Sequence, residues 1–184
     1  MKKLGFGMMR LPLLNEEDKK SIDKKTVCQM VDTFMERGFT YFDTAYMYHE
    51  YESERAVKDV LVTRKDRDSY TLASKLPVMQ LKEKEDMERI FNEQREKCGV
   101  EYFDYYLLHA LDAEHYKTVK RLDCFGFAMQ KKAEGKVKHV GFSLSRQCRG
   151  ARSDPYRASG SRIRTAAAEL SGLGGCKGAV PQVL

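Results

Sequence analysis

Apolar residues in the first three quarters of the chain recur with a helical period in some stretches and form continuous apolar runs in others. Three stretches carry apolar positions three or four residues apart, which predicts helices with one apolar face. Their apolar positions are Val27, Met30, Val31, Phe34 and Met35, then Ala56, Val57, Val60 and Leu61, then Met87, Ile90 and Phe91.

Charged stretches that end in glycine run directly into apolar, β-branched or aromatic segments. This phrase occurs three times, in Met35–Ala45, Arg95–Ala110 and Lys132–Ser143. Glycine just past a helix suits a left-handed residue, because it has no Cβ to clash there, and each following run predicts a strand. A further strand is predicted over Ser69–Lys75, so the predicted order is β-α-β-α-β-α-β-α-β.

Alternating strands and helices imply right-handed crossovers and a parallel sheet, hence an α/β fold. The predicted strands end at Asp43, Lys75, His109 and Ser143, which are 32, 34 and 34 residues apart. This near-constant interval favours a barrel built from repeated units. A doubly wound sheet is the alternative, but the first turn, Leu4–Arg10, contains GxG without the rest of the dinucleotide-binding GxGxxG pattern.

Composition narrows the class of protein. The 184 residues suit one domain, and with 33% charged residues no apolar run approaches the roughly 18 residues of a membrane span. We expect no membrane association, and the N-terminus shows no export signal. The five cysteines are scattered and include no CxxC pair, which argues against a disulfide framework and a metal site and favours the cytoplasm.

Four polar residues lie at or just after the ends of predicted strands, where barrels carry their chemistry. They are Asp43, Tyr48, Lys75 and His109. Individually a packing tyrosine, a structural histidine or a surface lysine would explain each of them. Together they suit carbonyl reduction: Tyr48 would act as a phenolic acid, Lys75 would supply a nearby positive charge, Asp43 would orient the lysine, and His109 would hydrogen-bond the substrate oxygen.

These motifs resemble the aldo-keto reductase family. The resemblance rests on Gly5–Gly7, Phe42–Tyr48, Leu72–Lys75, Asp104–His109 and Val140–Ser143. It implies a (β/α)₈ TIM barrel and NADPH-dependent reduction of small aldehydes or ketones, with Asp43, Tyr48, Lys75 and His109 matching the catalytic four. Ser143 matches a residue that holds the nicotinamide carboxamide, Gly7 and Met8 match the turn under the cofactor, and Asp43 also lies beside it. The opening and the segment after Asp43 look most like a bacterial branch that often carries an iron–sulfur extension.

The resemblance covers residues 1–143, about five of the eight βα units of such a barrel, and stops there. Residues 144–184 form an irregular tail of different composition, with seven Lys or Arg, two Asp or Glu, six of the 13 glycines and one aromatic residue. Most of the formal charge of +6 therefore belongs to the tail. A basic arm that binds nucleic acid is one reading, but lysine clusters and interleaved aromatics are lacking, so we expect no nucleic-acid partner.

We favour the hypothesis that the tail is translated out of frame. Residues 165–174, TAAAELSGLG, can be encoded so that reading each codon one base later gives QLQLNYLDW, a phrase typical of the sixth strand of this family. The same shift gives family-like sequence over residues 145–184. A one-base insertion near codons 143–144 would produce this tail.

Other functions remain open at the level of the sequence. A (β/α)₈ lyase or isomerase could use Lys75 as a Schiff-base amine and His109 as a base. A non-enzymatic binding fragment is a second alternative. Separately, we expect non-specific or edge-mediated self-association, because an incomplete barrel leaves strand edges unpaired. His49, His115 and His139 are not spaced as metal ligands and are interpreted as surface or loop residues.

Overall fold

The computed structural model of the protein describes residues 4–144. The predicted tail, residues 144–184, lies outside the described residues except for Leu144. Five strands form one sheet: β1 (Gly5–Gly7), β2 (Tyr41–Asp43), β3 (Thr71–Leu76), β4 (Phe103–Leu111) and β5 (Val137–Leu144). The α-helices among these described residues are α1 (Lys24–Glu36), α2 (Ser53–Val57), α3 (Glu85–Cys98), α4 (Ala113–Leu122) and α5 (Cys124–Ala133).

The strands pair in chain order, and every pairing is parallel. Among the described residues, β1 pairs only with β2 and β5 only with β4, so the sheet is open at both edges. This is the predicted α/β architecture, an arc of five strands of a (β/α)₈ barrel with helices outside it.

The predicted helices and strands form, with differences at their ends. A π-helical turn (Lys58–Val62) prolongs α2, and short 3₁₀ turns occupy Arg67–Ser69 and Val78–Gln80. Two helices instead of one connect β4 to β5, because Asp123 adopts a left-handed conformation between them and its side chain caps α5. The strands β3, β4 and β5 continue one or two residues beyond the ends that the sequence predicts.

Glycines end three of the helices as the sequence predicts. Gly38, Gly99 and Gly135 follow α1, α3 and α5 with φ angles of 79°, 69° and 74°. This left-handed conformation turns the chain from each helix into the next strand at little steric cost.

A single apolar core lies between the sheet and its helices. Val27 and Val31 of α1, Ile90 and Phe91 of α3, and Phe42 of β2 are fully or almost fully buried in it. No helix among residues 4–144 has both the length and the apolar character needed to cross a membrane.

Candidate active site

The predicted catalytic residues come together at the carboxyl end of the sheet. Asp43 is the last residue of β2, while Lys75 and His109 lie one and two residues before the ends of β3 and β4. Parallel pairing aligns these strand ends side by side, and Tyr48 reaches the same place from the loop after β2. Residues 66 positions apart in the chain, Asp43 and His109, are thereby brought to one edge.

The ammonium group of Lys75 is the centre of the site. It is fully buried and donates to Asp43 Oδ1 at 2.5 Å, to the carbonyl oxygen of Thr44 at 2.7 Å and to the hydroxyl oxygen of Tyr48 at 3.2 Å. These three bonds use all three donors of the ammonium group. Because Lys75 donates to the Tyr48 oxygen, the phenol keeps its own hydrogen for another acceptor.

His109 packs edge-on against Tyr48, with ring centroids 5.8 Å apart and an interplanar angle of 80°. Burial lowers the pKa of His109 to about 4, and the positive charge of Lys75 acts in the same direction. The imidazole is therefore neutral at neutral pH. A neutral imidazole beside the phenol can hydrogen-bond a substrate oxygen without adding a second positive charge to the site.

Two buried polar atoms at this edge have no hydrogen-bond partner among the described residues. They are Asp43 Oδ2 and His109 Nδ1. Buried polar atoms are normally hydrogen-bonded, so such atoms indicate where a bound molecule can contribute a partner. Both belong to residues that the sequence assigns to the site.

The residues predicted to contact a cofactor border the same edge. Gly7 ends β1 opposite Asp43, and the Met8 amide donates to the Asp43 carbonyl at 2.8 Å. A Cβ built on Gly7 would meet no atom within 4 Å, so one face of this backbone is open to close approach. Ser143 is buried in β5, and its Oγ accepts from the Ala110 amide at 2.8 Å, which leaves the hydroxyl hydrogen to donate.

A buried polar network behind Lys75 is absent from the sequence predictions. The side-chain amide of Gln94 donates to Glu54 Oε1 at 2.7 Å and lies 3.1 Å from the carbonyl oxygen of Lys75. Ser74 donates to Glu54 at 2.7 Å, and Tyr106 donates to Gln94 at 2.7 Å. One sequence signal existed: Gln94 falls on the apolar face of α3, four residues after Ile90, where a polar side chain needs a buried partner.

Burial raises the pKa of Glu54 to about 7, although its hydrogen bonds to Ser74 and Gln94 act in the opposite direction. Nothing in the local sequence distinguishes Glu54 from the exposed acidic residues near it. Its burial depends on α2 packing against α3, which is a tertiary contact.

The other histidines also have defined positions. His49 bonds to two backbone groups of the segment between β1 and α1, His115 lies against the Ala110 carbonyl, and His139 stacks on Tyr105. Within residues 4–144, no three His, Cys, Asp or Glu side chains are grouped so that they could hold a metal ion.

Comparisons with known proteins agree with this architecture. The sequence profile described as the Aldo/keto reductase family matches residues 3–151. No curated protein matches the chain.

Solved aldo-keto reductases share the fold. The holo form of a Bacillus halodurans enzyme superposes with a TM-score of 0.58 at 23% identity, covering 78% of this chain and 46% of that one. A Brucella melitensis enzyme gives 0.55 at 22% identity, covering 78% and 49%. A Klebsiella pneumoniae enzyme in complex with NADPH gives 0.55 at 22% identity, covering 75% and 44%. The chain thus spans about half the length of these structures.

Proposed function

Because the chain belongs to the aldo/keto reductase family, we propose that its site serves the NADPH-dependent reduction of aldehydes or ketones to alcohols, with Tyr48 as the general acid. One observation carries this proposal. The buried Lys75 ammonium donates to the Tyr48 oxygen at 3.2 Å while Asp43 holds it at 2.5 Å. A cation at this distance stabilises the phenolate that forms when Tyr48 gives up its proton.

Each residue of the site has a distinct part in that proton transfer. Tyr48 donates its hydroxyl hydrogen to the carbonyl oxygen as negative charge develops there. Lys75 stabilises the resulting phenolate, and Asp43 fixes the position of the ammonium group. Neutral His109, packed against the Tyr48 ring, orients the substrate oxygen through a hydrogen bond.

The residues at the sheet edge fit a nicotinamide cofactor. NADPH, when bound, supplies the hydride for the reduction. Gly7 offers an open backbone face, Met8 continues that turn, and Asp43 and Ser143 present a partnerless oxygen and a hydroxyl donor at the same edge. The NADPH complex of the Klebsiella pneumoniae enzyme, which shares this fold, supports the same cofactor. We also place the protein in the cytoplasm, where Cys28, Cys98 and Cys124, which form no disulfide among residues 4–144, would stay reduced.

For the 184-residue chain we expect weak cofactor affinity and little turnover. The family resemblance places the site for the adenosine phosphate on segments after strands seven and eight, whereas residues 4–144 supply five strands. The residues proposed to contact the nicotinamide lie on or next to the strands described, so the chemistry is expected to remain dependent on Tyr48 even where binding is weak.

The test follows deuterium from NADPH labelled at the transferable position into the product alcohol, using a panel of small aldehydes and millimolar cofactor. We expect slow formation of deuterated alcohol by the chain and none by Tyr48→Phe, which removes one oxygen. Tyr102→Phe is the matched control, since its hydroxyl contacts Lys138 away from the site. Equal labelling by the chain and by Tyr48→Phe would refute the proposal, and so would no labelling at all.

The hydrogen bonds of Lys75 speak against a Schiff-base lyase or isomerase. A Schiff base needs a free amine, and this ammonium is engaged by a carboxylate, a carbonyl and a phenol. Adding borohydride together with the carbonyl substrates distinguishes the two functions. Covalent labelling of Lys75 would establish the Schiff-base alternative, and we expect no such labelling.

A further inference from the structure

The three residues that follow Tyr48 have an unusual backbone. His49, Glu50 and Tyr51 adopt φ angles of 50°, 51° and 74°, and none of them is glycine. The left-handed region is sterically unfavourable for any residue with a Cβ, and three such residues in succession are rarer still. Conformations of this kind persist only where surrounding contacts hold them.

The His49 ring supplies contacts of that kind at the start of the turn. Its Nε2 lies 3.0 Å from the Leu11 amide nitrogen, and its Nδ1 lies 2.9 Å from the Lys19 carbonyl oxygen. An amide can only donate and a carbonyl can only accept, so Nε2 must carry the lone pair and Nδ1 the hydrogen. One neutral tautomer therefore satisfies both bonds, and the ring links the turn to the segment between β1 and α1.

Contacts of Tyr51 hold the end of the turn. Its hydroxyl oxygen accepts from Gln80 at 2.9 Å, and its ring packs edge-on against Tyr46 with centroids 5.2 Å apart. Tyr46 is in turn anchored to α3, because its hydroxyl donates to Glu93 at 2.8 Å. The turn is thus attached on one side to the segment before α1 and on the other to the segment before α3.

We propose that His49 is a positioning residue for Tyr48, a role that rests on the proposed reductase function. The ring does not touch the Tyr48 phenol. It acts through the backbone: by clamping the left-handed turn to Leu11 and Lys19, it fixes where the preceding residue leaves the loop and keeps the phenol oxygen at the Lys75 ammonium.

The experiment uses the full chain with 3-fluorotyrosine at position 48, observed by ¹⁹F NMR without cofactor or substrate. We expect one narrow resonance for the chain, and a displaced or split resonance for His49→Phe, which keeps a ring and removes both bonds. Glu50→Gln is the matched control, because it changes the next residue of the same turn. Among residues 4–144, the Glu50 carboxylate makes a single long contact, 3.9 Å from the Lys20 ammonium, and both side chains are exposed. The ¹⁹F resonance of this variant is therefore expected to match that of the parent chain.

Two conservative variants extend the test. His49→Gln can keep an acceptor for Leu11, and His49→Asn can keep a donor for Lys19. Because each variant can keep one of the two hydrogen bonds, its ¹⁹F resonance is expected to lie closer to that of the parent chain than the resonance of His49→Phe does. If His49→Phe does not fold, as judged by circular dichroism, these two variants decide: displacement in a folded variant supports the proposal, and a resonance identical to that of the parent chain in both overturns it.

A measurement without any substitution completes the design. Long-range ¹H–¹⁵N spectra of the parent chain report the tautomer of each histidine, and we expect the Nδ1–H form for His49. The Nε2–H form, or fast exchange between both forms, would overturn the proposal whatever the variants do. Neither NMR measurement involves NADPH, so the two proposals can fail separately. If the NMR results are as expected but no deuterium is transferred, the reductase function is refuted and the positioning of Tyr48 by His49 is not.

Discussion

At the scale of single residues, the unequal burial of Lys75 and Asp43 has consequences for stability. The Lys75 side chain is 0% exposed, and that of Asp43 is 17% exposed. An unpaired charge costs more where water cannot reach it. The two halves of this ion pair are therefore not equivalent when one of them is removed.

We expect Asp43→Ala to lower the free energy of unfolding by about 3 kcal/mol, because it leaves a buried ammonium group without its carboxylate. Lys75→Met is expected to cost less, roughly 1–2 kcal/mol, since the Asp43 side chain is partly exposed whereas that of Lys75 is wholly buried. Urea denaturation at pH 7 measures both. If Lys75→Met proved the more damaging substitution, the interpretation of the pair would be wrong.

Glu54 makes stability depend on pH in a predictable direction. Burial raises its pKa from 4.5 to about 7 in the folded protein. Between those values the folded state binds more protons than the unfolded state, so this group destabilises the fold as pH rises from 4.5 through 7. The charges of Lys97 and Glu93 act on this pKa in opposite directions, Lys97 lowering it and Glu93 raising it.

Glu54→Gln keeps an acceptor for Ser74 and Gln94 and removes the charge. We expect it to raise the free energy of unfolding by about 1–3 kcal/mol at pH 8 and to leave it nearly unchanged at pH 4. Denaturation series at both pH values check this. Glu96→Gln, an exposed position on α3, serves as the control with no such difference, and an equal effect of Glu54→Gln at both pH values would contradict the prediction.

At the scale of elements, Gly99 and Gly135 end α3 and α5 and turn the chain towards the next strand. Both have a positive φ, but their surroundings differ. A Cβ on Gly99 would lie 3.1 Å from three carbons of Lys58, whereas one on Gly135 would meet nothing within 4 Å. The two positions separate the conformational cost from the steric one.

Gly135→Ala is expected to cost about 1 kcal/mol, the conformational penalty alone. Gly99→Ala is expected to cost up to about 2 kcal/mol, because the Lys58 side chain must also move. Thermal or urea unfolding of the two variants compares them directly. A larger loss at Gly135 would show that its turn depends on contacts other than backbone conformation.

At the scale of the whole molecule, the sheet of residues 4–144 has two open edges, at β1 and β5. Unpaired strand edges favour association with another chain. We expect self-association that depends on concentration, seen as a sedimentation coefficient that rises between about 5 and 100 μM protein. Chains with unpaired strand edges associate at micromolar concentrations and above. A constant monomeric value over this range would exclude it.

The tail belongs to the same scale, and we propose that it is out of frame. Sequencing the coding DNA from codon 135 past codon 184 is expected to show a neighbouring frame that continues through QLQLNYLDW. Stop codons in that frame would refute the idea and make residues 144–184 a genuine basic element. The binding-fragment alternative would then need a direct test.

Much of the fold was predictable because its signals are local. Helical spacing located α1 and α3, and glycine after a charged stretch predicted where strands begin. The second helix between β4 and β5 was not predictable, since it arises from the left-handed Asp123 rather than from a break in apolar spacing. The ends of β3, β4 and β5 were predicted one or two residues too early, because pairing with a neighbouring strand extends them.

From the sequence alone one could derive the alternation of strands and helices, the family and the residues that meet at the sheet edge, because periodicity, glycine placement and motifs involve neighbouring residues. The neutral state of His109, the burial of Glu54 and the contacts of His49 with Leu11 and Lys19 follow from packing in three dimensions. Each depends on groups far apart in the chain, such as Gln94 and Glu54, which are 40 residues apart. Burial and hydrogen bonding at those distances follow from packing, which no local pattern encodes.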